Sequence, residues 1–368
     1  MADLGRGHAP SLVLRCDPPV IALTVVALVW LATPAKIPFG LYESNSIGSS
    51  MKAGLVYSPD DDFSLYGLER LHPFDGHKFS RAWALICKEL GPQLERYWIE
   101  PGEPVSDDEL LRVHCREYLA SLASPIVVAR ALELSAIQLM PRWIIQHRLL
   151  RPMRLAVAGT IAAMRHVLTG EGVFAMNIGG GFHHAFRDHG EGFCLYADVA
   201  AAIAVARASG ALAETDPIAI VDLDAHRGNG VWALCGADPA IHVLDAYNFQ
   251  IYPGLFPGAI DDFPFQIPIK SLTSDGSYLD MVREELPRFL ASMPRPRLAI
   301  YNAGTDIVAG DPLGRLAVSP EGVAARDRFV VNTLAKHAIS TVIVTSGGYT
   351  NDSHELISQL ALALMNMR

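Results

Sequence analysis

Short apolar runs at 173–178, 218–223, 241–244, 298–302 and 341–345 punctuate the C-terminal half of the chain. Their length and β-branched content predict strands buried on both faces. Between and after them, 196–208, 278–290, 320–337 and 354–367 space apolar residues three and four apart, which predicts helices. The N-terminal half is richer in that second rhythm, at 78–90, 107–114, 126–134 and 154–168. Ser106 with Glu109 forms a capping-box signature at the start of one of these helices. Strands alternating with helices predict an α/β fold, a central parallel sheet flanked by helices on both faces. No polar linker, repeat or low-complexity tract interrupts residues 51–368, so these are read as one domain rather than two.

Residues 1–50 are a hydrophobic N-terminal extension of another character. No charge lies between Asp17 and Lys36, and 20–32 (VIALTVVALVWLA) is almost wholly apolar. A membrane-spanning helix needs about 20 such residues; this core is shorter, with Pro18, Pro19 and Pro34 at its edges. One reading is a membrane anchor, with contact through 18–35. Arg6 and Arg15 ahead of the core and Ala-Thr-Pro-Ala behind it also have the shape of a signal peptide. In a third reading the native start is Met51, where Lys-Ala-Gly-Leu-Val-Tyr-Ser opens globular patterning after the linker-like Gly48-Ser49-Ser50.

Composition narrows the function. Half of the 368 residues are hydrophobic and 19% are charged, which supplies a core and excludes a mainly disordered chain. The 39 acidic and 30 basic side chains give a net charge of −9, which argues against direct binding of nucleic acid and favours a neutral or cationic substrate. Cys16, Cys87, Cys115, Cys194 and Cys235 are scattered and never spaced as CxxC. They read as reduced thiols of a cytoplasmic protein, not a disulfide frame or a thiolate zinc site, and so argue against secretion.

Ligands of open parallel sheets sit at the carboxyl ends of the strands. Four predicted strands run there into glycine with an ionisable or hydroxyl residue: Gly179-Gly180-Gly181-Phe182-His183-His184, Asp224-Ala225-His226-Arg227-Gly228-Asn229-Gly230, Ala303-Gly304-Thr305-Asp306 and Ser346-Gly347-Gly348-Tyr349. In extended backbone Asp222, Asp224 and His226 share one face. A single Asp after a strand is most simply a helix cap, but two Asp and a His without a nearby Lys are costly to bury unless a cation joins them. Such donors suit Zn²⁺, with Fe²⁺ or Mn²⁺ as other occupants, and Asp306 is the best candidate for a third ligand from another strand end. A lone histidine is usually structural; His183 and His184 together beside a metal site point to proton transfer. Tyr349 is placed to meet a developing oxyanion. The triple glycine lacks both the Lys-Ser/Thr of a phosphate loop and dinucleotide spacing, so it does not point to nucleotides.

Together these motifs resemble the histone deacetylase family, most closely its class IV branch. The matching stretches are Leu71-His72-Pro73-Phe74-Asp75, GGGFHHAF (179–186), GEGFCLYAD (190–198), IVDLDAHRGNG (220–230), YNAGTD (301–306) with GDPLG (310–314), and TSGGY (345–349). They cover about residues 54–352 in the family's order. The resemblance implies an arginase/deacetylase-like fold and one Zn²⁺ held by Asp224, His226 and Asp306. It implies that His184 is general base and acid, that His183 acts electrostatically with Asp222 behind it, and that Tyr349 polarises the scissile carbonyl. Asn229 stands where class I enzymes have Asp, which predicts a lower His184 pKa than an Asp partner would give. Phe193 and Phe256, with Gly192, match walls of an acyl-lysine channel. Asp222, Asp245 and nearby backbone carbonyls match a monovalent-cation site for K⁺. The implied reaction is metal-assisted hydrolysis of N-ε-acyl-lysine in a protein or peptide. Class IV members remove long fatty acyl groups as well as acetyl, which leaves acyl length open.

Three rivals remain at this level. A small acylated amine such as an acetylated polyamine would suit the same site. An arginase-like ureohydrolase with two Mn²⁺ needs further bridging carboxylates where Arg227 and Asn229 stand. An inactive acyl-lysine-binding scaffold would have no use for the full set of ligands, histidines and tyrosine.

Overall fold

The computed structural model describes residues 53–63, 74–254 and 264–367. Its strands are β1 (Ala53–Val56), β2 (Trp98–Ile99), β3 (Phe174–Asn177), β4 (Ile218–Asp222), β5 (Ile241–Asn248), β6 (Gln266–Ile269), β7 (Leu298–Asn302) and β8 (Ser340–Val344). All pair in parallel, in the order β2-β1-β3-β8-β7-β4-β5-β6. Every residue of β3, β4 and β7 is buried, as expected of strands covered on both sides. One row of helices, Asp275–Ala291, Pro320–Lys336, Ser353–Met365 and Lys78–Leu90, packs in succession on one face. Arg151–Leu168, Asp198–Ala208 and Asn229–Cys235 form the other row, with Arg151–Leu168 lying across β1, β3 and β8.

The predicted frame differs from the observed one mainly where elements are short. Strands β1, β2 and β6 were absent from the predicted set; they have only two to four residues, too few to show a period. Strand β6 also carries Pro268, which an edge position tolerates because the ring removes a donor the ladder does not need. The helix expected over 107–114 stops at Leu110 and resumes as Arg116–Ser121. Its capping box is formed: Glu109 N donates to Ser106 Oγ at 3.3 Å, and Ser106 N donates to Glu109 Oε2 at 2.9 Å. The helix expected over 126–134 is Pro125–Ala131, and just beyond it Glu133 takes a left-handed φ of 54° that no helix continues through. Strand β5 runs on to Asn248, four residues past the predicted end at 244. Among the described residues, no helix is long and apolar enough to cross a membrane. The apolar segment 18–35 lies outside them.

Candidate active site and metal centre

Strands β3, β8, β7 and β4 lie side by side, so the four glycine-bearing segments leave one edge of the sheet together. Across β7, β4 and β5 the register places Asn302, Asp222 and Asp245 in one polar row at that edge. Asp224, His226 and Asp306 are buried, and one ligand atom of each lies within 4.8 Å of the others. His226 Nδ1 is 2.8 Å from Asp306 Oδ2 and 3.1 Å from Asp224 Oδ1. The outer carboxylate oxygens are held by backbone: Ala225 N donates to Asp306 Oδ1 and Gly347 N to Asp224 Oδ2, each at 2.8 Å. A Cβ at Gly347 would strike both carboxylates, and one at Gly304 would strike Asp224.

Asp222, Asp224 and His226 do not share the extended face expected of them. Strand β4 ends at Asp222, and 224–226 is a bend in which His226 N donates to Asp224 Oδ1 at 2.8 Å. Asp222 turns instead to His183, whose Nδ1 lies 2.9 Å from its Oδ2, while Asn302 Nδ2 donates to Asp222 Oδ1 at 2.9 Å. Burial and the facing Asp224 charge push Asp306 up to about 7. Burial opposes a charge on His226, yet the two carboxylates carry it up to about 10. Without a cation two buried carboxylates oppose each other's ionisation. Oxygen and nitrogen donors converging on one point, with their outer oxygens already bonded, fit a single divalent ion.

The paired imidazoles are set by the glycine run. Asp198 accepts from Gly181 N at 2.9 Å, Phe182 N at 2.8 Å and Thr160 Oγ1 at 2.7 Å, which pins the loop ahead of His183 and His184. The two rings stand 4.1 Å apart. Burial alone would lower the His183 pKa, but Asp222 and Asp224 raise it to about 9. His184 is held well below its ordinary value, first by burial and then by His183 and His226, against which the hydrogen bond with Asn229 pulls upward. His184 Nδ1 donates to Asn229 Oδ1 at 2.7 Å, and Asn229 Nδ2 donates to Glu191 Oε1 at 2.6 Å. That leaves His184 Nε2 as the basic nitrogen.

Phe193, Tyr349 and Phe74 form an aromatic cluster, with Phe193–Tyr349 centroids 5.9 Å apart and Phe74–Tyr349 6.3 Å apart. The Tyr349 ring lies 5.9 Å from that of His226, and Tyr349 N donates to Asp311 Oδ2 at 2.8 Å. Gly192 backs the His184 ring so closely that a Cβ would collide with it, and its φ is 53°. Phe256 lies outside the described residues, as do Leu71, His72 and Pro73 of the first motif. Asp245 Oδ2 accepts from Trp232 Nε1 at 2.8 Å and Gly228 N at 3.0 Å. Its buried Oδ1 has no hydrogen-bond partner among the described residues, and burial with the adjacent Asp222 pushes its pKa up to about 8. That orphan oxygen beside a second carboxylate fits a monovalent cation.

Several participants carried no distinct signal in the sequence. Glu191 sits inside a matched motif but shows its use only through Asn229. Asn302 and Asp198 look like ordinary element ends. Lys78 is fully buried under the Tyr349 turn; its Nζ donates to Ser346 O at 2.7 Å and lies 4.8 Å from the Phe74 centroid. Burial lowers its pKa to about 8, against the pull of Asp306 and Asp224.

The histone deacetylase domain model matches residues 72–365. The chain belongs to the histone deacetylase family. It is similar to Histone deacetylase 2 of Arabidopsis thaliana, 39% identical over 312 residues that cover 83% of this chain and 77% of that protein. It is also similar to the acetoin utilization protein AcuC of Bacillus subtilis, at 28% identity over 72% of this chain and 68% of the other. Among solved structures the HDA15 HD domain superposes with a TM-score of 0.66 at 20% identity, covering 86% of this chain and 89% of that one. This last likeness speaks to the fold, a single parallel sheet with helices on both faces. As a histone deacetylase family member the chain is a hydrolase of linear amides.

Proposed function

We propose that this histone deacetylase family member hydrolyses the side-chain amide of N-ε-acyl-lysine, using one Zn²⁺ held by Asp224, His226 and Asp306. The observation that carries this reading is the convergence of those three donors beside two imidazoles of opposite protonation preference. A bound divalent ion would polarise the acyl carbonyl and lower the pKa of the attacking water. Neutral His184 takes the water proton on Nε2, because its Nδ1–H is committed to Asn229. As water oxygen bonds to the acyl carbon, the carbonyl pair moves onto oxygen. Tyr349 donates its hydroxyl proton as a hydrogen bond there; burial and the nearby carboxylates keep that phenol protonated. His184 then returns the proton to the lysine nitrogen as the C–N bond breaks. His183, held cationic by Asp222, supplies positive charge beside the oxyanion. Phe193, Phe74 and Tyr349 enclose the acyl-lysine stem. Free Cys87, Cys115, Cys194 and Cys235 suit a reducing, cytoplasmic setting.

A panel of peptides carrying acetyl- to myristoyl-lysine, run with protein loaded with Zn²⁺, Fe²⁺ or Mn²⁺, tests the proposal. Metal-dependent release of the acyl group as a carboxylic acid, leaving the peptide with a free lysine ε-amine, is expected. Tyr349→Phe should retain bound metal while losing about 10²–10³ in kcat. Fully loaded protein that cleaves no member of the panel would overturn the reading.

A further inference from the structure

We infer that an arginine-rich, apolar-tipped patch on the active-site side of the molecule docks the enzyme on anionic lipid surfaces. Residues 134–153 contain three Arg and one His and no Asp or Glu, in a chain whose net charge is −9. Within this stretch Leu139 is 90% exposed and Trp143 59% exposed, among the most exposed large apolar side chains of the described residues. Arg142, His147 and Arg151 are exposed around them. Arg154 is not counted, because it is committed to Asp107 and Tyr196.

The helix geometry places this patch. Segments Arg142–Ile145, Gln146–Leu150 and Arg151–Leu168 follow one another without a break. The short link 169–173 returns the chain to β3, so the rod runs antiparallel to that strand and its N-terminal end points toward the carboxyl edge of the sheet. Asn177 Nδ2, at the end of β3, donates to Ala156 O at 2.8 Å, so the rod is level with the edge at Ala156. At about 1.5 Å per residue, 142–151 projects about 10–20 Å beyond it, on the side where the four catalytic loops emerge. The preceding helix, Pro125–Ala131, adjoins the substrate loop, since Phe193 N donates to Ala131 O at 3.1 Å.

Exposed Trp and Leu set among arginines are the composition of an interfacial membrane contact: the apolar side chains enter the headgroup boundary, and the arginines are drawn to the negative charge of an anionic leaflet. An acidic polymer in water would use the arginines but would leave Leu139 and Trp143 without a role. Docking here would turn the mouth of the site toward acylated lysines held at a membrane.

The test is flotation of the full chain with vesicles of phosphatidylcholine alone and with added phosphatidylserine. Binding is expected only to the anionic vesicles. It should fall about tenfold or more in Arg142→Gln/Arg151→Gln and in Leu139→Ser/Trp143→Ser, and a blue shift of tryptophan emission on binding should vanish in Trp143→Phe. All three variants should retain parental melting and parental hydrolysis of a soluble acyl-lysine peptide, which separates this inference from the catalytic reading. No vesicle binding, or binding that neither pair alters, overturns the inference; the second result would move the contact to another segment, such as 20–32. Tighter binding to duplex DNA that needs the arginines but not Leu139 and Trp143 also overturns it.

Discussion

Asn229 is bonded at both ends, accepting from His184 through Oδ1 and donating to Glu191 through Nδ2. An Asp at 229 would favour imidazolium at His184, but it would also set two carboxylates against each other at Glu191. Pairing Asn229→Asp with Glu191→Gln removes that conflict, because the new amide can donate to the new carboxylate. The general base must be neutral, so a raised His184 pKa moves the acidic limb of kcat/KM to higher pH, by about one unit or more. A pH–rate profile of the double variant checks this. An unmoved acidic limb would show that His184 is not the base. The identity of the paired side chains was legible in the sequence, as was the gathering of their loops at one sheet edge. The Glu191 link was not, since a glutamate between two glycines reads as surface until the chain folds.

At the scale of elements, glycine rather than the acid fixes how close the loops can come. Gly347, just past β8, lies against the Asp224 and Asp306 carboxylates, and Gly304, just past β7, lies against Asp224. Gly347→Ala should therefore displace Asp224 and Asp306 together. Bound metal should fall at least about tenfold, and added Zn²⁺ should no longer raise the melting temperature as it does when a ligand binds only the native state. Gly276→Ala is the control. That residue is exposed in the first turn of helix Asp275–Ala291 with open space around it, and the change should be neutral or stabilising by about 0.5 kcal/mol. Equal metal retention in both variants would show that the close approach at 347 is not what holds the site. The same contrast explains what the sequence revealed. Strand 298–302 and helix 78–90 were readable end to end because uniform burial and helical period leave a long signal. Strands β1, β2 and β6 owe their pairing to neighbours elsewhere in the chain. The bend at 224–226 is local by contrast: it replaced an extended run because the Asp224 side chain accepts the His226 amide.

The whole molecule buries acids beyond those of the proposed metal centre, and this sets how its stability depends on pH. Asp61, beyond β1, is 2% exposed; Ser58 N donates to its Oδ2 at 2.9 Å, and its Oδ1 has no hydrogen-bond partner among the described residues. Burial raises its pKa to about 7, with smaller additions from Asp62 and Asp60. In the unfolded chain an Asp titrates near about 3.9. Between those values the native state keeps a proton that the unfolded chain has lost. Its contribution is therefore fully present below about pH 4 and declines by up to about 1.4 kcal/mol per pH unit until pH passes 7. Asp61→Asn preserves the acceptor for Ser58 N and removes the titration. Urea unfolding of metal-loaded protein, which keeps Asp306 bound and out of the comparison, should give parent and variant similar stabilities at pH 4. By pH 8 the variant should be the more stable by about 4 kcal/mol, because only the parent then carries a buried carboxylate. Parallel stability curves from pH 4 to pH 8 would show that Asp61 is solvated or paired in the native protein, and would assign the pH dependence to the acids at the carboxyl edge of the sheet.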